Sequence, residues 1–191
     1  YEFDVADTDM DGVPDGYDLC PDIAGEHEDT NRNGVGDDCD SCPDCENVAL
    51  EGRTAASETN GTYSVRHIND GKTEEEVRER NGIDTSYWLL PRGRQAGWAE
   101  VNLGGLYDVC VIRAMNTSHA GRYDYWTSSW EIVVSDGDPE AGGIAETVAN
   151  GRYDTYPPME WTTVVLDPCV PGDRVRYNVL GYDSNYATGA G

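Results

Sequence analysis

The chain has 191 residues, 37 acidic against 13 basic side chains, and a formal net charge of −24. That length holds one medium domain plus a small module. The balance excludes a nucleic-acid reader, because no basic stripe is present to neutralise phosphates, and no apolar run reaches the roughly 18 residues that a membrane-spanning helix needs.

The acid is concentrated at the front. Residues 1–46 hold 16 Asp or Glu and one basic residue, Arg32, leaving 21 acids and 12 bases for the other 145 residues. Carboxylates at that density repel one another unless cations neutralise them. The chain opens on Tyr1 with no signal peptide, which reads as a processed or excised piece of a longer secreted chain.

Two spaced sets of oxygen side chains come first. Residues 7–18 present Asp7, Asp9, Asp11, Asp15 and Asp18, with Gly12 at the sixth position of the loop and Val13 at the seventh. Residues 29–40 repeat the pattern 22 residues on, with Asp29, Asn31, Asn33, Gly34, Val35, Asp37 and Asp40. Ca²⁺ takes about six to eight hard oxygens at roughly 2.3–2.6 Å, and alternate residues of a curling loop can supply three of them. The glycine permits the sharp turn, the carbonyl of Val13 or Val35 adds an oxygen, and the ninth and twelfth positions close the shell. Helix-flanked calcium hands are not expected, because Pro14 and Gly16 interrupt the first loop and Pro21 follows it. Metal and disulfides must therefore hold these loops. The rival reading is a solvated acidic linker.

Six cysteines stand at Cys20, Cys39, Cys42, Cys45, Cys110 and Cys169. An even count favours disulfides in an oxidising compartment, though spacing does not give their connectivity. The alternative is zinc on Cys39, Cys42 and Cys45, with Cys20 as a fourth ligand. Asn60 and Asn116 begin N-glycosylation sequons.

The stretches DTDMDGVPDGYDLCPD and DTNRNGVGDDCDSCP carry Asp-rich loops, a Cys-Pro after the first, and Gly-Asp-x-Cys-Asp in the second. Over roughly residues 7–44 the chain resembles the thrombospondin type 3 repeat. The resemblance implies several Ca²⁺ ions wrapped by nearly structureless chain and sequential disulfides, including Cys20–Cys39. Cys42–Cys45 and Cys110–Cys169 are expected alongside it.

From Asn47 the composition changes to short β-rich runs divided by Gly, Asn, Asp and Pro. Strands are expected at Trp98–Leu103, Val109–Ala114, Trp130–Ser135, Thr162–Leu166 and Arg174–Leu180. The last alternates Val175, Tyr177 and Val179 with Arg174, Arg176 and Asn178. Only Thr73–Arg80 reads as a short helix. The pattern is that of an all-β sandwich. The motifs NVALEGRTAASE, YSVRHINDGKT, SYWLLP, GWAEVNLGGLYDVCVIRAMN, WEIVVSDG and RVRYNVLGY, in that order, resemble the discoidin or coagulation factor 5/8 type C domain. That implies an eight-stranded galactose-binding-like jelly roll, preceded here by the irregular thrombospondin type 3-like calcium-binding segment. The fold implies function only loosely, since it hosts adhesion, sugar binding, lipid binding and scaffolding. It also implies a structural Ca²⁺ at Asp70, in the Ile68-Asn69-Asp70-Gly71 turn, where the alternative is a plain turn former.

Members of that family end on a strand after a Gly-rich turn, whereas this chain stops at residues 187–191. Tyr1-Glu2-Phe3-Asp4-Val5 has the alternation of the absent strand. The expectation is a strand supplied by the next copy, in a head-to-tail polymer or a tandem array. Glu2 would then stand beside the Asp70 site of its neighbour. The alternative is a short leader. The divisions are residues 1–5 as donor strand, 6–46 as calcium-binding stalk, and 47–191 as the jelly roll.

No nucleophile elbow, zinc-protease motif or phosphate loop appears, so no enzyme is expected. Tyr123, Tyr125, Trp126, Tyr153, Tyr156 and Tyr186 fall in loops beside Arg122 and Arg152. Aromatic faces with a nearby Arg suit sugar rings, with Tyr123, Trp126, Arg152 and Tyr156 the leading candidates. The alternative is loop-to-loop packing or a subunit contact. The sequence reads as an extracellular, calcium-stabilised structural or adhesive unit, partnered by copies of itself, with a carbohydrate-binding module as the alternative.

Overall fold

The computed structural model describes residues 7–13, 15, 18–31, 35–40, 42, 44–61, 63–71, 87–91, 93–115, 126–153 and 161–183. The expected helix over 73–80, the donor strand over 1–5 and the C-terminal residues 187–191 lie outside them. Among the described residues, five antiparallel strands form one connected ladder: β1 (Arg53–Ala56), β2 (Gly97–Met115), β3 (Trp126–Asp136), β4 (Ile144–Arg152) and β5 (Trp161–Asp183). Their spatial order is β1-β2-β5-β3-β4.

The sequence pattern splits β2 and β5 in two, yet each is continuous. The reason lies at their bends. Gly104 sits at φ 81, a left-handed conformation that glycine adopts without steric cost. There the ladder slips from Asn102 opposite Arg174 to Tyr107 opposite Gly172. A bulge of this kind turns the strand without ending its pairing. β2 and β5 therefore stay paired on both sides of the bend. β1 and β4 are not anticipated. β1 has only four residues, and β4 is an edge strand whose first four residues are all exposed, so its sequence carries no burial alternation.

Leu103, Val109 and Val134 form a core cluster, with Val101, Val170 and Val175 packed against it. Ile132 and Val134 are each 1% exposed. Burial of such a side chain contributes about 1.5–3 kcal/mol. Val175, Tyr177 and Val179 alternate on β5 as expected. The opposite face is not a solvated one, however: Arg176 is 6% and Glu100 3% exposed. Glu100 accepts from Arg174 Nη1 at 3.0 Å and from Arg176 Nε at 2.8 Å. The Arg176 guanidinium lies 4.0 Å over the Trp98 ring and also reaches Glu140 at 3.3 Å. This network ties β2, β5 and the 3-10 turn Pro139–Ala141 together. The charges tolerate burial because each finds a partner.

Candidate metal centre and carbohydrate face

In the first acidic loop the alternate residues converge. Asp7, Asp9 and Asp11 each offer a carboxylate oxygen within 4.8 Å of the others, while Met10 between them is 85% exposed. Met10 takes φ 63, a left-handed conformation uncommon for a side-chain-bearing residue, which tightens the curl. Backbone N–H groups pin one oxygen of each carboxylate: Gly12 donates to Asp7 at 3.1 Å, Asp11 to Asp9 at 3.1 Å and Val13 to Asp11 at 2.8 Å. Gly25 donates to the other Asp11 oxygen at 2.9 Å.

Asp18 is 5% exposed and accepts from the Cys20 N–H at 2.8 Å. Asp7 Oδ1, Asp9 Oδ2 and Asp18 Oδ2 are buried with no hydrogen-bond partner among the protein atoms. Burial holds the Asp9 carboxyl above its usual range, and Asp11, Asp18 and Asp7 add repulsion against the lowering effect of the Asp11 N–H. The Asp11 carboxyl is instead held low by the Gly25 and Val13 N–H groups. Buried carboxylate oxygens without donors are costly unless a cation meets them. An all-oxygen, multiply anionic set is chemistry for a hard divalent ion such as Ca²⁺. The residues present fit that group.

Asp15, expected as a ligand, lies against Thr8. Its two oxygens accept from the Thr8 N–H at 2.6 Å and the Thr8 hydroxyl at 2.7 Å, closing the loop. Asp37 does the same with Thr30, at 3.0 and 2.6 Å. These hydrogen bonds, the hydroxyl's foremost, hold the Asp37 carboxyl below its ordinary value. Neither threonine is singled out from sequence alone. The available signal is that both repeats carry Asp-Thr at their start and Asp seven residues after the Thr.

In the second loop, Asp40 accepts from the Cys42 N–H at 2.7 Å and from Asn31 Nδ2 at 3.0 Å. Burial makes Arg113 of β2 a weaker base than usual, against a smaller opposing effect of the Asp29 charge. Val35 is half-buried, and Asn33 lies outside the described residues. Among the described residues, only Asp7, Asp9 and Asp11 form a metal-sized cluster.

The disulfides are Cys20–Cys39, Cys42–Cys45 and Cys110–Cys169, and no cysteine is free. The zinc alternative therefore falls, since it needs thiolates. The first bridge packs on Gly36, where a Cβ would stand 2.7 Å from Cys20 Sγ. His27 is fixed between the Ile23 carbonyl at 2.6 Å and Asp38 at 2.9 Å, and both contacts raise its basicity, the carbonyl's more.

At the expected jelly-roll calcium site, Asp70 faces His67 Nδ1 at 3.1 Å, and Gly71 takes φ 72. Neighbouring Asn69 donates to the Ala49 and Gly52 carbonyls at 2.6 and 2.9 Å, locking the turn onto the start of the domain. Glu2 lies outside the described residues. Asn60 is half-buried in a tight turn, its N–H on the Leu89 carbonyl at 2.9 Å; Asn116 is outside.

Of the aromatic and basic loop residues, Tyr123, Tyr125, Tyr156, Tyr186 and Arg122 lie outside the described residues. Arg152 ends β4 opposite Ser129, and Trp126 starts β3 at that same end of the ladder. Tyr153 follows, with its N–H on the Ser128 carbonyl at 2.8 Å and its hydroxyl 3.0 Å from that of Thr162. Trp126, Arg152 and Tyr153 thus stand toward the same end of the ladder, with Trp126 three residues along β3 from the partner of Arg152.

No protein family and no curated protein matches the chain. Solved structures do. A family 32 carbohydrate-binding module of Clostridium perfringens NanJ, in complex with galactose, aligns with TM-score 0.53 at 16% identity, over 72% of this chain and 91% of that one. A fucose-binding module of Streptococcus pneumoniae aligns with TM-score 0.53 at 17% identity, over 73% and 90%. A fucolectin from striped bass serum, Morone saxatilis, aligns with TM-score 0.54 at 19% identity, over 72% and 44%. Likeness at these identities establishes the fold: an all-β, galactose-binding-like jelly roll.

Proposed function

We propose that the chain is an extracellular carbohydrate-binding adhesion module carried on a calcium-braced acidic segment. The observation that carries the reading is the jelly roll itself, whose solved likenesses include a galactose complex and a fucose-binding module, with Trp126, Arg152 and Tyr153 toward the same end of the ladder. Aromatic and guanidinium residues at one end of the ladder would suit stacking on a sugar face and charged donation to its hydroxyls. Three disulfides fit an oxidising, extracellular setting. The likeness favours this reading over head-to-tail assembly, whose strand would come from residues outside the described set. For the acidic segment, the buried unpaired oxygens of Asp7, Asp9 and Asp18 support calcium binding. Bound Ca²⁺ would neutralise those carboxylates.

The test is a glycan array followed by calorimetry with galactose- and fucose-terminated oligosaccharides in millimolar calcium. We expect binding that Arg152→Ala weakens at least about tenfold, or about 1.4 kcal/mol, without shifting thermal unfolding. Silence across the array, with the fold intact, would remove the carbohydrate reading and leave a structural unit.

A further inference from the structure

The 22-residue repeat runs further than the loops. Residues 7–22 and 29–44 are identical at nine of sixteen positions, through Cys20-Pro21-Asp22 and Cys42-Pro43-Asp44. The threonine clamps and the Cys N–H bonds to Asp18 and Asp40 also recur at the same offset. Against that identity one difference stands out. At the third position loop one has Asp9 and loop two has Asn31.

We infer that the two loops differ in their need for a cation: loop one, residues 7–18, holds its shape only with a hard divalent cation among Asp7, Asp9, Asp11 and Asp18, whereas loop two, residues 29–40, is braced by Asn31 and keeps its shape without one. The inference rests on the calcium reading above. In loop two, the Asn31 amide donates to Asp40 Oδ2 at 3.0 Å and lies 3.4 Å from the Cys42 carbonyl. The equivalent oxygen in loop one, Asp18 Oδ2, is buried without a partner, and so is Asp9 Oδ2. A carboxylate at position 9 has no proton to donate, so Asp9 and Asp18 repel where Asn31 and Asp40 attract. Asp29 of loop two also lies within electrostatic reach of Arg113 in the jelly roll. Among the described residues no basic side chain forms an ion pair with Asp7, Asp9 or Asp18. Four carboxylates exceed what one shared proton can settle, so the missing partner is a cation. Position three thereby decides which loop responds to calcium.

The experiment is residue-resolved hydrogen exchange on the 191-residue chain, in excess calcium and in a chelator, with calorimetry of calcium binding beside it. Chelation should speed exchange at the Gly12 and Cys20 amides by at least about tenfold and change the Thr30 and Cys42 amides by less than about twofold. Asp9→Asn supplies the amide donor that Asp18 lacks and should shrink the loop-one response to that of loop two. Asn31→Asp should transfer the response to loop two. Equal acceleration in both loops, with calcium heat still measured, overturns the division alone. No acceleration and no heat overturn the calcium reading, and the inference with it.

Discussion

Asp18 and Glu100 are both buried carboxylates, 5% and 3% exposed, and they show how differently the two regions are held. Glu100 lies in the jelly roll between Arg174 and Arg176, with each oxygen taken by a guanidinium. Asp18 lies in the acidic segment with one oxygen on a backbone N–H and the other unpaired. The jelly roll supplies its own countercharges and an aliphatic core. Among the described residues before Val48 there is no strand or helix, and the buried side chains include Cys20, Asp18 and His27. Burial by itself does not tell whether a charge is self-sufficient; the partner on its second oxygen does. Among the described residues the jelly roll meets Glu100 with guanidinium groups of its own chain, whereas the acidic segment carries two disulfides and leaves Asp18 Oδ2 without a partner among the protein atoms.

The sharpest way to break this comparison is Glu100→Gln. It leaves Arg174 and Arg176 facing each other across a neutral amide in a buried site. Removing one partner of a buried ion pair costs about 3–5 kcal/mol. We expect that loss in urea unfolding followed by tryptophan fluorescence, unchanged by calcium. All five tryptophans lie beyond residue 46, so the signal reports the jelly roll. A loss smaller than about 0.5 kcal/mol, the scale of an ordinary surface substitution, would mean the network is not what holds that face.

The complementary change is Cys20→Ser together with Cys39→Ser. The bridge spans 19 residues, and closing a loop of that size contributes about 3 kcal/mol. Here the cost should fall on the acidic segment, seen as faster proteolysis within residues 19–38, with tryptophan-monitored unfolding unmoved. A matching fall in jelly-roll stability would show that the two regions fold as one unit and would erase the distinction.

How much of this was legible depends on how local each feature is. The calcium spacing lies within twelve residues, and the alternation of Val175, Tyr177 and Val179 within five, so both can be read along the chain. The Glu100–Arg176 pair spans 76 residues, and nothing in Trp98–Leu103 marks Glu100 as buried rather than solvated. Register across β2 and β5 decides it, and register depends on the slip at Gly104, which the sequence pattern takes for a strand end. β4 was missed because an exposed edge carries no alternation. The Thr8 and Thr30 clamps are within local reach but hidden, because a threonine between two candidate ligand positions reads as filler until the repeat is aligned to its full length.

The smallest expected effect separates the loops by pH. The Thr30 hydroxyl, followed by the Thr30 N–H, holds the Asp37 carboxyl below its reference value of 3.8. A depressed folded value means that the contribution of Asp37 to stability is present above pH 3.8 and is lost as pH falls through the folded value. Asp9 has the opposite sign: burial raises it above 3.8. Without a cation, its contribution is present below pH 3.8 and is lost as pH rises through the raised value. In a chelator, acidification should therefore favour the Asp9 contribution to loop one, against the opposite sign of the lowered Asp11 beside it, while weakening loop two at Asp37. Thr30→Val removes the hydroxyl but keeps the backbone donor, so Asp37 should move part of the way back toward 3.8; Thr30→Ser should leave it low. Carboxyl carbon shifts followed by NMR through the acid range would measure both. If Asp37 titrates identically in the valine variant, the clamp does not act on that charge, and the likeness between Thr8–Asp15 and Thr30–Asp37 is one of shape alone.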